Sequence, residues 1–114
     1  MAKHILLVDD SERVRGVVAA GLRKFGYDVT EAADAFEAMK IILRGGNNFV
    51  AVLTDFNMPD GNGLQLARDI GAVRSDLPVV IFTFDPDEVP GGHPFRVIAK
   101  DKIFDEIENL VGKP

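Results

Sequence analysis

Five polar residues stand where this chain could do chemistry: Asp9, Asp10, Asp55, Thr83 and Lys100. Each follows or ends a short apolar run. Asp9 and Asp10 come directly after "HILLV" (4–8), and Asp55 after "FVAVLT" (49–54). Thr83 ends "PVVIFT" (78–83), and Lys100 follows "FRVIA" (95–99). If these runs are parallel strands, all five groups emerge on one edge of a sheet. Three carboxylates gathered there repel, at about 4 kcal/mol per pair for ~4 Å and an effective dielectric of ~20. Such a cluster calls for a hard divalent cation with oxygen ligands, and Mg²⁺ is the expected one. Beside the cation a carboxylate can attack a phosphoryl group. A lysine ammonium and a threonine hydroxyl can hold the phosphoryl oxygens. The expected chemistry is metal-assisted phosphoryl transfer onto an aspartate.

The elements that must position these groups are legible in the pattern. A fifth β-rich run, "YDVTEA" (27–32), carries Asp28, Thr30 and Glu31 and reads as an edge strand. Segments of helical period lie between the runs. The first covers about residues 11–25, with Val14, Val17, Val18, Leu22 and Phe25 on one stripe, Ser11 as cap and Gly26 at the end. The others cover about 34–44, 63–73 and 102–111. Strand–helix alternation predicts an α/β fold, a doubly wound five-stranded parallel sheet with helices on both faces. Such folds place their chemistry at the carboxyl ends of the strands. The whole of residues 1–114 is expected to form one domain.

Composition narrows the function classes. The 114 residues include no cysteine, which removes thiolate and iron–sulfur chemistry. Eighteen acids against thirteen Lys and Arg give a net charge of −5, which argues against direct nucleic-acid binding. No stretch has the length of a membrane span, so a cytoplasmic protein is expected. Taken singly, each candidate has a bland explanation. Asp9-Asp10-Ser11 could be a helix cap, Asp55 a turn opener before "FNMPDGNG", Thr83 an ordinary strand residue and Lys100 a surface charge. His4 and His93 have no metal-ligand neighbours in the sequence. Phe25, Phe36, Phe49 and Phe82 read as core. The chemical reading rests on convergence, because four different strands end in acid, acid, hydroxyl and amine.

Taken together, "ILLVDDSERVR", "VLTDFNMPDGNGLQL", "PVVIFT" and the lysine of "VIAK" resemble the receiver domains of bacterial two-component response regulators, of the single-domain chemotaxis-like type. The resemblance spans nearly the whole chain and implies the flavodoxin-like strand order 2-1-3-4-5. By that resemblance Asp55 is the phosphoacceptor. Asp10 is a direct Mg²⁺ ligand, Asp9 acts partly through water, and Asn57 offers its backbone carbonyl. Thr83 is the switch hydroxyl and Lys100 the phosphate-binding lysine. Met58, Pro59 and Gly63 match the residues that shape the following loop. The implied partner is a sensor histidine kinase or a histidine phosphotransfer protein. Output would pass through a downstream protein target if these residues are the whole protein, and an excised receiver is the alternative. The chain would be a monomer or a weak homodimer, without membrane contact.

Four departures from the family pattern fall in the last third. Asp101 follows the lysine where the family usually has proline. A trans bond is expected there, because a cis bond before a non-proline residue costs roughly 2.5–4 kcal/mol. Phe84 stands after the threonine where a small residue is usual, and it is expected to screen the aspartate. The stretch "FDPDEVPGGHPF" holds three prolines and two glycines. These residues disfavour a helix interior, so the family's fourth helix is expected to be absent, with one short turn over about 86–89. The family's switch aromatic is replaced by Val97, with Phe95 nearby.

Two other classes of function compete. One is a docking module that uses the receiver fold without a phosphorylation switch. The other is an enzyme or cofactor carrier of similar architecture. A flavodoxin-type phosphate loop would clash with Asp9 and Asp10. A haloacid-dehalogenase-type phosphatase would need a second aspartate where Asn57 stands.

Overall fold

Alternation of side chains along β1 (His4–Val8) divides the core in two. Leu6 and Val8 belong to one apolar cluster, with Ala38 and Ile42 of α2 (Ala35–Arg44) and Leu66, Ala67 and Ile70 of α3 (Gly63–Val73). Ile5 and Leu7 belong to the other, with Val18, Ala19 and Leu22 of α1 (Glu12–Lys24) and Ile103 and Ile107 of α4 (Ile103–Val111). Two helices therefore cover each face. This computed structural model describes residues 2–114. Its remaining strands are β2 (Asp28–Ala32), β3 (Phe49–Asp55), β4 (Asn57–Met58), β5 (Gly61–Asn62), β6 (Val79–Thr83) and β7 (Arg96–Ala99).

The main sheet runs β2-β1-β3-β6-β7, with every neighbouring pair parallel. With the two-residue hairpin β4-β5 set aside, this is the order 2-1-3-4-5. β2 is an edge strand, as its polar residues predict. Residues of the central strands β1, β3 and β6 are almost all buried, which both-face burial demands. The caps follow the sequence. Ser11 Oγ accepts from Val14 N, Asp34 Oδ1 from Glu37 N and Asn62 Oδ1 from Gln65 N, at 3.2, 2.7 and 2.9 Å.

The periodic stripe of α1 is wider than the surface the sheet buries, and not every phenylalanine read as core lies in it. Val17, Phe25, Phe36 and Val73 are exposed, whereas Phe49 and Phe82 are core. On α1 the buried stripe runs through Val18, Ala19 and Leu22, so Val17 points away from the sheet. Phe25 caps the helix and meets Phe104 edge-on at 5.6 Å. Phe36 lies on the outer side of α2, with Lys40 Nζ 5.5 Å from its ring.

The family's fourth helix is absent among the described residues. Between β6 and β7 the chain makes only a 3-10 turn, Pro86–Glu88, capped by Asp85. Phe95 precedes β7 and packs against the α2–α3 side of the core. All peptide bonds among the described residues are trans, including Lys100–Asp101, where a second 3-10 turn (Lys100–Lys102) leads into α4.

Gly63 has a steric reason. Its N–H donates to Phe56 O at 2.7 Å, and a Cβ at this position would collide with the Asp55 backbone carbonyl. Backbone cannot swing aside as a flexible side chain can. Gly63→Ala should therefore cost about 1–3 kcal/mol, read as a lower urea midpoint at unchanged m-value.

Candidate functional site

The carboxyl ends of β1, β3 and β6, with the residue after β7, meet at one edge of the sheet. Asp9, Asp55, Thr83 and Lys100 are buried there, and Asp10 and Asn57 are exposed beside them. The cleft they line is about 380 Å³. The structure thus brings together every residue selected from the sequence.

Lys100 Nζ lies 2.9 Å from Asp9 Oδ2 and 3.1 Å from Asp55 Oδ1, bridging two buried carboxylates. The other Asp9 oxygen accepts from Ser11 N at 2.9 Å. Arg15 Nη1 donates to the Asp9 backbone carbonyl at 2.7 Å, which fixes the corner between β1 and α1. Lys100 also sits 5.0 Å from the centroid of Phe82 and 4.9 Å from that of Phe84. Phe84 is 71 % exposed, so it forms a wall on the lysine side of the cleft instead of joining the core.

Electrostatics single out Asp55. Burial raises its carboxyl from 3.8 to about 6. The Asp9 carboxylate pushes the same way, and Lys100 pulls against both. The carboxylate in this cleft is therefore poorly compensated, and a further cation would relieve it. Asp9, Asp10 and Asp55 each offer an oxygen within 4.8 Å of the others. An all-oxygen, acid-rich donor set suits a hard cation such as Mg²⁺. Asp9 is already committed to Ser11 and Lys100, which leaves Asp10 and Asp55 the freer ligands.

One residue of the cleft was not anticipated. Glu88, on the 3-10 turn, accepts at Oε1 from Asn57 Nδ2 at 2.7 Å and from Thr83 Oγ1 at 3.0 Å. Nothing in the sequence marks it apart from Asp85 and Asp87. Its role depends on the tight path of a proline-rich loop, which periodicity does not encode.

A parallel sheet with paired helix layers and an acid pocket at its carboxyl edge places the chain among doubly wound α/β domains with a site suited to a hard cation. Residues 5–106 match the response regulator receiver domain, and the chain belongs to that family. It is 37 % identical over 82 residues to a two-component response regulator of Oryza sativa, covering 72 % of this chain and 14 % of that protein. It is 35 % identical over 80 residues to protein PetR of Rhodobacter capsulatus, covering 70 % of this chain and 32 % of that one. The chain thus spans a third or less of these two relatives. Among solved structures, the Thermotoga maritima response regulator TrrA, in complex with Mg²⁺ and beryllofluoride, superposes with a TM-score of 0.85 at 28 % identity, over 97 % of both chains. No helix among the described residues is long and apolar enough to cross a membrane.

Proposed function

We propose that Asp55 is the phosphoacceptor of a cytoplasmic two-component phosphorelay, charged by a phosphohistidine on a sensor histidine kinase or a histidine phosphotransfer protein. The observation that carries this is the buried Lys100 ammonium held between Asp9 and Asp55, at 2.9 and 3.1 Å, in an open acidic cleft. The likeness to TrrA, solved with Mg²⁺ and beryllofluoride, supports it.

An Asp55 carboxylate oxygen attacks phosphorus as the donor's N–P bond breaks, and the electron pair leaves with the imidazole. Lys100 is already beside Asp55 and needs little motion to bind a phosphoryl oxygen. Thr83 has a hydroxyl proton to donate to another. Mg²⁺ held by Asp10, Asp55 and the Asn57 carbonyl, with Asp9 acting through water, would neutralise the charge that builds on the phosphoryl oxygens. Phe84 limits water on the lysine side and favours a longer-lived adduct. Phosphorylation then shifts the population toward a form read by a partner protein.

The test is to supply Mg²⁺ with acetyl phosphate, or a cognate kinase, and weigh the intact protein. The expected result is a hydroxylamine-sensitive phosphoryl adduct that disappears with EDTA and in Asp55→Asn. Equal labelling of Asp55→Asn, or no adduct from any donor, would overturn the assignment. The second outcome favours a docking module that uses the receiver fold without a switch, a reading motivated by Phe84, Asp101 and the lack of an α-helix between β6 and β7.

A further inference from the structure

We propose that Glu88 is an internal anion that occupies the Thr83 hydroxyl and the Asn57 amide until a phosphoryl group displaces it. The proposal rests on the phosphoacceptor assignment above and adds how the same site is regulated.

Thr83 is the hinge of the argument. Its Oγ1 accepts from Asp85 N at 3.3 Å and donates to Glu88 Oε1 at 3.0 Å. A hydroxyl has one proton to give. While Glu88 holds it, Thr83 cannot donate to a phosphoryl oxygen on Asp55. Asn57 Nδ2 is drawn to the same Glu88 oxygen at 2.7 Å, so one carboxylate oxygen ties together the ends of β4 and β6.

Charge makes the arrangement exclusive. The cleft is lined by the carboxylates of Asp9, Asp10, Asp55, Asp85 and Glu88, with Lys100 as its one cation among the described residues. A phosphoryl group adds about −1.5 to −2 charge. Glu88 then loses its donor to a phosphoryl oxygen and faces a group whose charge a bound Mg²⁺ offsets only in part. The turn that carries it is small. It is held by Glu88 N to Asp85 O, Val89 N to Pro86 O and Asp87 N to Asp85 Oδ1, at 3.1, 3.2 and 3.2 Å, and its residues 85–88 are exposed. Such a turn moves at low cost. In this chain, which has no α-helix between β6 and β7, release of Pro86–Glu88 is how occupancy of Asp55 reaches the surface.

Beryllofluoride with Mg²⁺, a phosphoryl stand-in, tests this by titration calorimetry and by amide shifts. In the wild-type protein, the amides of Asp87, Glu88 and Val89 should shift on saturation. Glu88→Ala should tighten binding about five- to tenfold, because it removes both the competing acceptor and the repulsion. Glu88→Gln should fall between, since its carbonyl still accepts from Thr83 and Asn57 without charge. In a Thr83→Val background the gain from Glu88→Ala should shrink, because no hydroxyl proton remains to be freed. Unchanged or weaker binding by Glu88→Ala overturns the proposal, as do unmoved wild-type resonances at 87–89. If the wild-type protein and all variants bind no beryllofluoride and form no acetyl phosphate adduct, the phosphoacceptor assignment fails and Glu88 release falls with it. Tight binding indifferent to residue 88 defeats Glu88 release alone.

Discussion

Lys100→Met, in EDTA near pH 7.5, should lower the unfolding free energy by about 3 kcal/mol. The methionine keeps most of the volume of the side chain and removes only its charge. Asp9 is fully buried and Asp55 nearly so, and both lose the ammonium that lies within 3.1 Å of them. Breaking a buried ion pair from one side costs more than the pair ever contributed, because the remaining charge stays desolvated. The penalty should depend on pH. Lys100 pulls the Asp55 carboxyl down from the value that burial and Asp9 impose, so without it Asp55 holds a proton to higher pH. That proton removes the uncompensated charge, so the gap between variant and wild type narrows as pH falls toward the wild-type value of about 6 and is smaller at pH 5 than at pH 7.5. Mg²⁺ should restore part of the loss by binding the folded form. Urea unfolding at pH 5 and pH 7.5, with and without Mg²⁺, measures all of this. An equal loss at both pH values would mean the lysine stem matters more than its charge.

Asp55→Asn should have the opposite effect on stability while it ends phosphorylation. The Asp55 carboxyl is raised to about 6 when folded, from 3.8. Between these values the folded protein binds more protons than the unfolded chain. Stability contributed by this group is therefore present in full below about pH 4, declines as pH rises and is gone above about pH 6. The difference amounts to about 3 kcal/mol at pH 7 in the absence of metal. Asparagine resembles the protonated acid and never ionises. The variant should melt about 10 °C higher at pH 7 in EDTA and close to wild type at pH 4. Saturating Mg²⁺ should stabilise the wild-type protein more than the variant and reduce the gap. A variant no more stable than wild type at pH 7 would mean Asp55 is already compensated without metal.

Much of this was legible before any coordinates. The runs "HILLV", "FVAVLT" and "PVVIFT" are apolar on both faces because they become β1, β3 and β6 in the middle of a parallel sheet. A carboxylate placed directly after such a strand has only one edge to reach, and the β1–β3 adjacency that the resemblance implies brings Asp9, Asp10 and Asp55 together there. The prolines of 84–95 correctly excluded a regular helix. What could not be read was direction within an exposed face and the path of an irregular loop. Val17 lies one residue before buried Val18, and periodicity spread over both. Glu88 reaches the site through a 3-10 turn whose course is set by Asp85 capping and proline geometry, and neither carries a repeating signal.

The hairpin after Asp55 also constrains the order in which the molecule assembles. At the start of α2, Ala35 N and Phe36 N donate to the two carboxylate oxygens of Asp60, at 3.2 and 2.9 Å, and Glu37 N donates to Asp34. Asp60 is 25 positions from Ala35 in the sequence. A first helical turn is the costly step in making a helix, and here two of its three stabilising acceptors arrive from a distant segment. The amino end of α2 should therefore become ordered only once β3 and the 57–62 hairpin have docked, and a low φ-value is expected for Asp60→Ala.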